Sequence, residues 1–316
     1  MRYIFTHKWT SLAISAALAA LITFLMYKGI PELSAAALAA IAVVLCFIFN
    51  GLVNTAATGA VMQPVNNSLS KLRSDCDPQP LYDACTKTES CFSKSTDSFL
   101  LNIQLVKSLA QLELGEFDEA KKTVDGMDTS ALPKDLTSKG AMKKAYSVLI
   151  PQTVMYINYY GDTESVDRAK DSYSSYCNMI NDLKKADPAY AQKVSDSYSG
   201  FESYFAMEEN RFADALKLTK EDELKNTDPD NYTIASLAYF YGKIFLCMGK
   251  NELALKHFEL AAKKAPAMYK GKESKKLAEN IKDGNIPEKY LNAKANAAES
   301  QLLSDIDGLD AKYFIL

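Results

Sequence analysis

Histidine is almost missing from this sequence. Only His7 and His257 occur, so a histidine-based metal centre or a Cys-His nucleophile pair would rest on His257 alone outside the N-terminal region. Cysteine gives no substitute. Cys46, Cys76, Cys85, Cys91, Cys177 and Cys247 form no CxxC pair, and a zinc site needs four soft ligands at suitable spacing. The thiols read as reduced structural residues. A disulfide among the closely spaced Cys76, Cys85 and Cys91 is the competing reading if the domain lies outside the cytoplasm. Phosphate-cradling glycine loops, a dinucleotide fingerprint, HExxH and GxSxG are all absent. The sequence therefore points away from an enzyme and offers no cofactor site. Glycine and proline are also scarce, at 13 and 10 of 316 residues. Few breakers, with no alternating β-branched runs joined by Asn-Gly or Asp-Gly turns, exclude a sheet and predict an all-α chain.

Charge is absent from two long stretches. Residues 9–27 and 33–53 carry no charged side chain and are each about as long as a helix needs to cross a bilayer. Lys28-Gly29-Ile30-Pro31-Glu32 between them suits only a tight turn. The expectation is a transmembrane hairpin over residues 1–55. The first run is longer than a signal-peptide core, and a second comes directly after it, which favours a hairpin over a cleaved leader. Small residues recur every fourth position at Ser11, Ser15, Ala19 and Thr23, and again at Ala35, Ala39 and Val43. Such stripes let membrane helices approach closely. Two spans would put both termini on one side. Arg2, Lys8, Lys71 and Arg73 flank the pair, against Lys28 in the turn, so that side leans cytoplasmic.

Charge balance separates this anchor from the rest of the chain. Up to Arg73 the charged residues leave a net of +4, so the remainder carries −7 of the overall −3. An acidic domain does not suit nucleic acid, which demands concentrated Lys and Arg. Residues 56–95, polar and containing Pro64, read as a stalk and linker.

The most informative stretch is residues 231–266. Ile234, Leu237, Ala238, Tyr241, Ile244, Phe245 and Met248 recur at helical spacing. A Gly249-Lys250-Asn251 turn comes next, then Leu253, Ala254, Phe258, Ala261 and Ala262 on one face, and Pro266. Gly242 and Ala254 would let the two helices cross closely, with Phe245 and Phe258 filling the space between them. This unit resembles the tetratricopeptide repeat, through Gly242, Phe245, Gly249, Ala254, Phe258, Ala261 and Pro266. Ala238 stands where that family has an early Trp, and Tyr241 where it has Leu. Weaker echoes fall at Gly115, Gly161 and Asn210, so that the turns lie 46, 49 and 39 residues apart. The resemblance implies an α-solenoid of helix pairs over residues 96–266, capped by helices within 267–316, one at 268–282 and one at 288–303. It also implies a scaffold that binds a protein or peptide partner. An assembly factor acting through its membrane hairpin is the alternative. On the family's geometry the concave side would present Ser236, Tyr239 and Lys243. Tyr156, Tyr159, Tyr160, Tyr173, Tyr176, Tyr190, Tyr198 and Tyr204 crowd the middle, as space-fillers or as the wall of a groove. Lys263, Lys264, Lys270, Lys272, Lys275, Lys276 and Lys282 read as a solvated capping face.

Overall fold

The computed structural model describes residues 8–29, 35–90, 98–128, 141–161, 166–197, 201–225 and 228–291. It is all-helical, with no strand among those residues. The chain divides into two compact units. One comprises Met1–Ser68 and Asp83–Thr96, the other Leu69–Tyr82 and Asp97–Leu316.

The first unit contains α1 (Lys8–Gly29) and most of α2 (Ala35–Asp75). Among the described residues, only α1 holds a stretch long and apolar enough to cross a membrane, Ser11–Lys28; α2 offers the shorter Ala39–Val53. The turn at residues 30–34 and the start of the second expected span lie outside the described residues. One stripe of α1 is covered: Ser11, Ser15 and Ala19 are buried. Ser11 Oγ donates to Asn50 Oδ1 of α2 at 2.8 Å, and Ser15 and Thr23 hydroxyls turn back onto their own helix carbonyls. The second expected stripe is not the covered one. Ala39 and Val43 are exposed, while Ile41, Ala42, Leu45, Cys46, Phe49 and Asn50 form the less exposed face. Side-chain size does not decide here, because the covered face is the one that carries Asn50. The segment expected as stalk is largely helical. The second helix continues without a break through Pro64 to Asp75, and α3 (Gln79–Glu89) comes after it.

The second unit is a succession of helices, most of them packed on their sequence neighbours. They are α4 (Ser98–Leu114), α5 (Phe117–Asp125), α6 (Ala141–Gly161), α7 (Val166–Ala186), α8 (Pro188–Ser197), α9 (Phe201–Glu208), α10 (Phe212–Lys225), α11 (Asn231–Cys247), α12 (Asn251–Lys264) and α13 (Tyr269–Lys282). Three helix pairs share one turn. After α4, α9 and α11 the chain enters the left-handed region at Gly115 (φ 86°), Asn210 (φ 58°) and Gly249 (φ 70°). At each, that residue's N–H reaches back three residues and the next N–H reaches back five: Gly115 to Leu112 and Glu116 to Gln111, Asn210 to Met207 and Arg211 to Ala206, Gly249 to Leu246 and Lys250 to Phe245. This is the Schellman arrangement, which satisfies the carbonyls a helix end leaves free. Five residues on, each pair places a fully buried alanine: Ala120, Ala215 or Ala254. The echo at Gly161 differs. It ends α6 against Phe117, and residues 162–165 lie outside the described set.

The α11–α12 pair packs as its composition requires. Gly242 lies so close to Phe258 that an added Cβ would sit 2.6 Å from the ring. Ala254, Phe245 and Phe258 are wholly buried. Asp230 caps α11 by accepting from the Thr233 N–H at 2.8 Å. This helix is buried on nearly every side, from Ala238 to Cys247, because α10, α12 and α13 all pack on it.

The helix α13 also returns to α4 and α5. Tyr269 meets Phe117 edge to face at 4.9 Å, and Lys270 Nζ pairs with Glu113 at 3.1 Å. Lys270 is thus buried rather than part of a solvated face. Lys272, Lys275 and Lys276 are exposed as expected. Of the second capping helix only its start, residues 288–291, is described.

Candidate functional site

Two adjoining cavities lie on the inner side of α11. Tyr160 and Tyr269 border both. The first has a volume of about 400 Å³ and the second about 600 Å³, the size of small-molecule sites.

The first cavity is built by the ends of α6 and α9, the second half of α11, one face of α13 and the segment after it. Its centre is Lys243, which exposes only 9 % of its surface. The ammonium stands 5.4 Å from the ring centre of Tyr159 and 5.7 Å from that of Tyr239. Ring faces attract a cation, which offsets part of its lost hydration. Burial nevertheless pulls the Lys243 pKa below the ordinary lysine value, with the charge of Glu208 acting against the shift. No hydrogen bond or ion pair joins Lys243 to another described residue. Glu208 accepts instead from the Tyr159 hydroxyl at 2.8 Å. Glu273, half-buried on α13, lines the same cavity and also lacks an ion-pair partner among the described residues. Glu208 and Lys289 are exposed at the margin. Burial holds the hydroxyls of Tyr159, Tyr160 and Tyr239 well above the usual phenol range, reinforced by Glu208 at Tyr159 and by neighbouring phenols at the other two. They are neutral and can donate.

The second cavity holds the buried ion pair. Glu113 Oε1 accepts from Lys270 Nζ at 3.1 Å and from the Tyr232 hydroxyl at 2.6 Å. Lys270 also donates to Ser236 Oγ at 3.1 Å and sits over the Tyr232 ring. Its charge is therefore already matched.

Of the residues expected to meet a partner, Tyr239 and Lys243 come together in the first cavity, and Ser236 lines the second. None lies on an open groove. Tyr239 is 3 % exposed, because α13 and the segment after it cover the side of α11 that the repeat pattern would leave free. Tyr156, Tyr159, Tyr160 and Tyr204 both fill space and line the cavities, Tyr176 and Tyr190 pack in a cluster between α7 and α8, and Tyr173 bridges that cluster to Phe201 and Phe205. Tyr198 lies outside the described residues. Sequence reading missed Tyr269, Glu273 and Tyr290. The i, i+4 spacing of Tyr269 and Glu273 was the available signal, one helical face carrying both.

No disulfide joins Cys46, Cys76, Cys85, Cys177 or Cys247 to one another; Cys91 lies outside the described residues. Burial, with Asp230 and Glu113 nearby, raises the Cys76 thiol to about 11, and burial raises Cys247 to about 12. Among the described residues no cluster of His, Cys, Asp and Glu could hold a metal ion. No protein-family model, curated protein or solved structure matches the chain.

Proposed function

We propose that the protein is a two-pass membrane-anchored scaffold whose soluble part is a stack of tetratricopeptide-like helix pairs that holds a protein or peptide partner. One observation carries the tether. Of fourteen exposed large apolar side chains among the described residues, twelve lie between Leu12 and Leu52. Water penalises such a patch, and lipid accommodates it. The bond from Ser11 to Asn50 supports a hairpin. In an antiparallel pair it brings Ser15 level with Cys46 and Ala19 level with Ala42, both on the covered face of α2. The small-residue stripe is then used inside the hairpin and lipid meets the large residues. That favours the scaffold over an assembly factor, whose spans would offer the small residues to other proteins. The slight charge bias of the flanks favours the cytoplasmic side for the helical domain.

The repeat reading rests on the shared turn geometry at Gly115, Asn210 and Gly249. A partner reaches Tyr239 and Lys243 by inserting a side chain or chain end past Glu208 and Lys289. A photoreactive residue in place of Lys289 tests this in native membranes. The expected result is one discrete cross-linked protein whose adduct vanishes in Lys243→Glu. A diffuse or empty cross-link pattern would overturn the scaffold reading.

A further inference from the structure

The first cavity presents two opposite charges that do not meet. Lys243, nine-tenths buried, and Glu273, half-buried, both line it, yet neither makes an ion pair with the other or with any described residue. Leaving a buried ammonium without a hydrogen-bonding anion is costly. Ring faces at 5.4 and 5.7 Å recover only part of that cost. A simple anion would satisfy Lys243 and repel Glu273; a simple amine would do the reverse. Glu208 and Lys289 repeat the same balance at the margin. A small molecule carrying both charges a few bonds apart complements all four groups. The tyrosine walls offer π-faces to its ammonium and apolar area to its carbon skeleton.

We propose that this cavity is a binding site for a small zwitterion of the amino-acid class, its carboxylate received by Lys243 and its ammonium by Glu273. This goes beyond the partner reading. The ligand is a free small molecule, and the site needs no membrane partner to act.

The test uses the purified full chain in detergent. Thermal unfolding is monitored with each of the twenty common L-amino acids in turn. The best binder is then compared with its decarboxylated amine and its deaminated acid. At least one amino acid is expected to raise the unfolding temperature saturably. Each single-charge analogue should bind about tenfold more weakly or worse, since each forfeits a charge-assisted contact. Lys243→Met and Glu273→Gln should each lose binding to a similar degree, while Lys282→Met, on the exposed pair with Glu259, leaves it unchanged. Glu273 is half-exposed, so its variant reports on the site even if Lys243→Met fails to fold. The proposal is overturned if no amino acid protects, if the acid analogue binds as tightly as its parent, or if Glu273→Gln binds normally. Loss of the cross-linked partner in membranes would leave all of these readouts untouched.

Discussion

Gly242 and Phe258 are the clearest case of a residue whose task can be read from its neighbours. A methyl at 242 would lie 2.6 Å from the ring. Phe258 is wholly buried and has no room to retreat. Gly242→Ala should therefore lower stability by about 1–3 kcal/mol, read from chemical denaturation of the solubilised protein; an unchanged midpoint would mean that the helices do not cross here. His257 makes a second prediction. It is buried between Tyr241 and Phe245, its Nδ1 against the Leu253 carbonyl at 2.8 Å, and burial lowers its pKa. The unfolded chain therefore takes up a proton near the ordinary value, while the folded chain does so only at lower pH. The stability this represents is present above about pH 6.5 and is lost as pH falls through and below it. Melting temperatures across pH 7.5 to 5 should fall, and fall less in His257→Phe. Gly242, Phe245 and Phe258 were legible in the sequence because local spacing alone sets their contact. The role of Lys270 was not, because its partner Glu113 lies far away in the chain.

Among the elements, the turns repeat more faithfully than the helices do. Gly115 and Gly249 take the left-handed conformation without a Cβ penalty. Asn210 takes it as the one common side-chain alternative. Asn210→Gly should leave stability within a few tenths of a kcal/mol, whereas Asn210→Val should cost about 1–2 kcal/mol. Equal losses in both would show that the side chain, not the backbone, matters. The positions of these turns and the all-helical class were visible in the sequence, since Gly or Asn followed by a short-spaced alanine is a local signal. The surroundings of α11 were not. Its apolar face is legible in the spacing, but its other face was expected to be open. The pattern of one helix does not reveal that α13 covers it, and so Tyr239 and Lys243 line an interior cavity.

At the scale of the whole helical unit, a buried ion pair joins α4 to α13 among the described residues. Lys270 and Glu113 are 157 positions apart, and both are buried. Removing one partner leaves a buried charge alone. Lys270→Met should cost about 3–5 kcal/mol, and Lys270→Met with Glu113→Leu should recover much of that. A double variant no better than the single would mean that the pair is not the closure. The absence of charge in residues 9–27 and 33–53 is the sequence signal for the proposed anchor; among the described residues α1 alone holds a stretch long and apolar enough to cross a membrane, and α2 holds the shorter Ala39–Val53. The account stands or falls on whether two helices span the bilayer. A membrane-impermeant maleimide, applied to intact cells and to lysed cells, can be read by mass spectrometry at Lys28→Cys and at Lys71→Cys. Two spans predict labelling of residue 28 in intact cells and of residue 71 only after lysis. Labelling of both residues from the same side would contradict the hairpin.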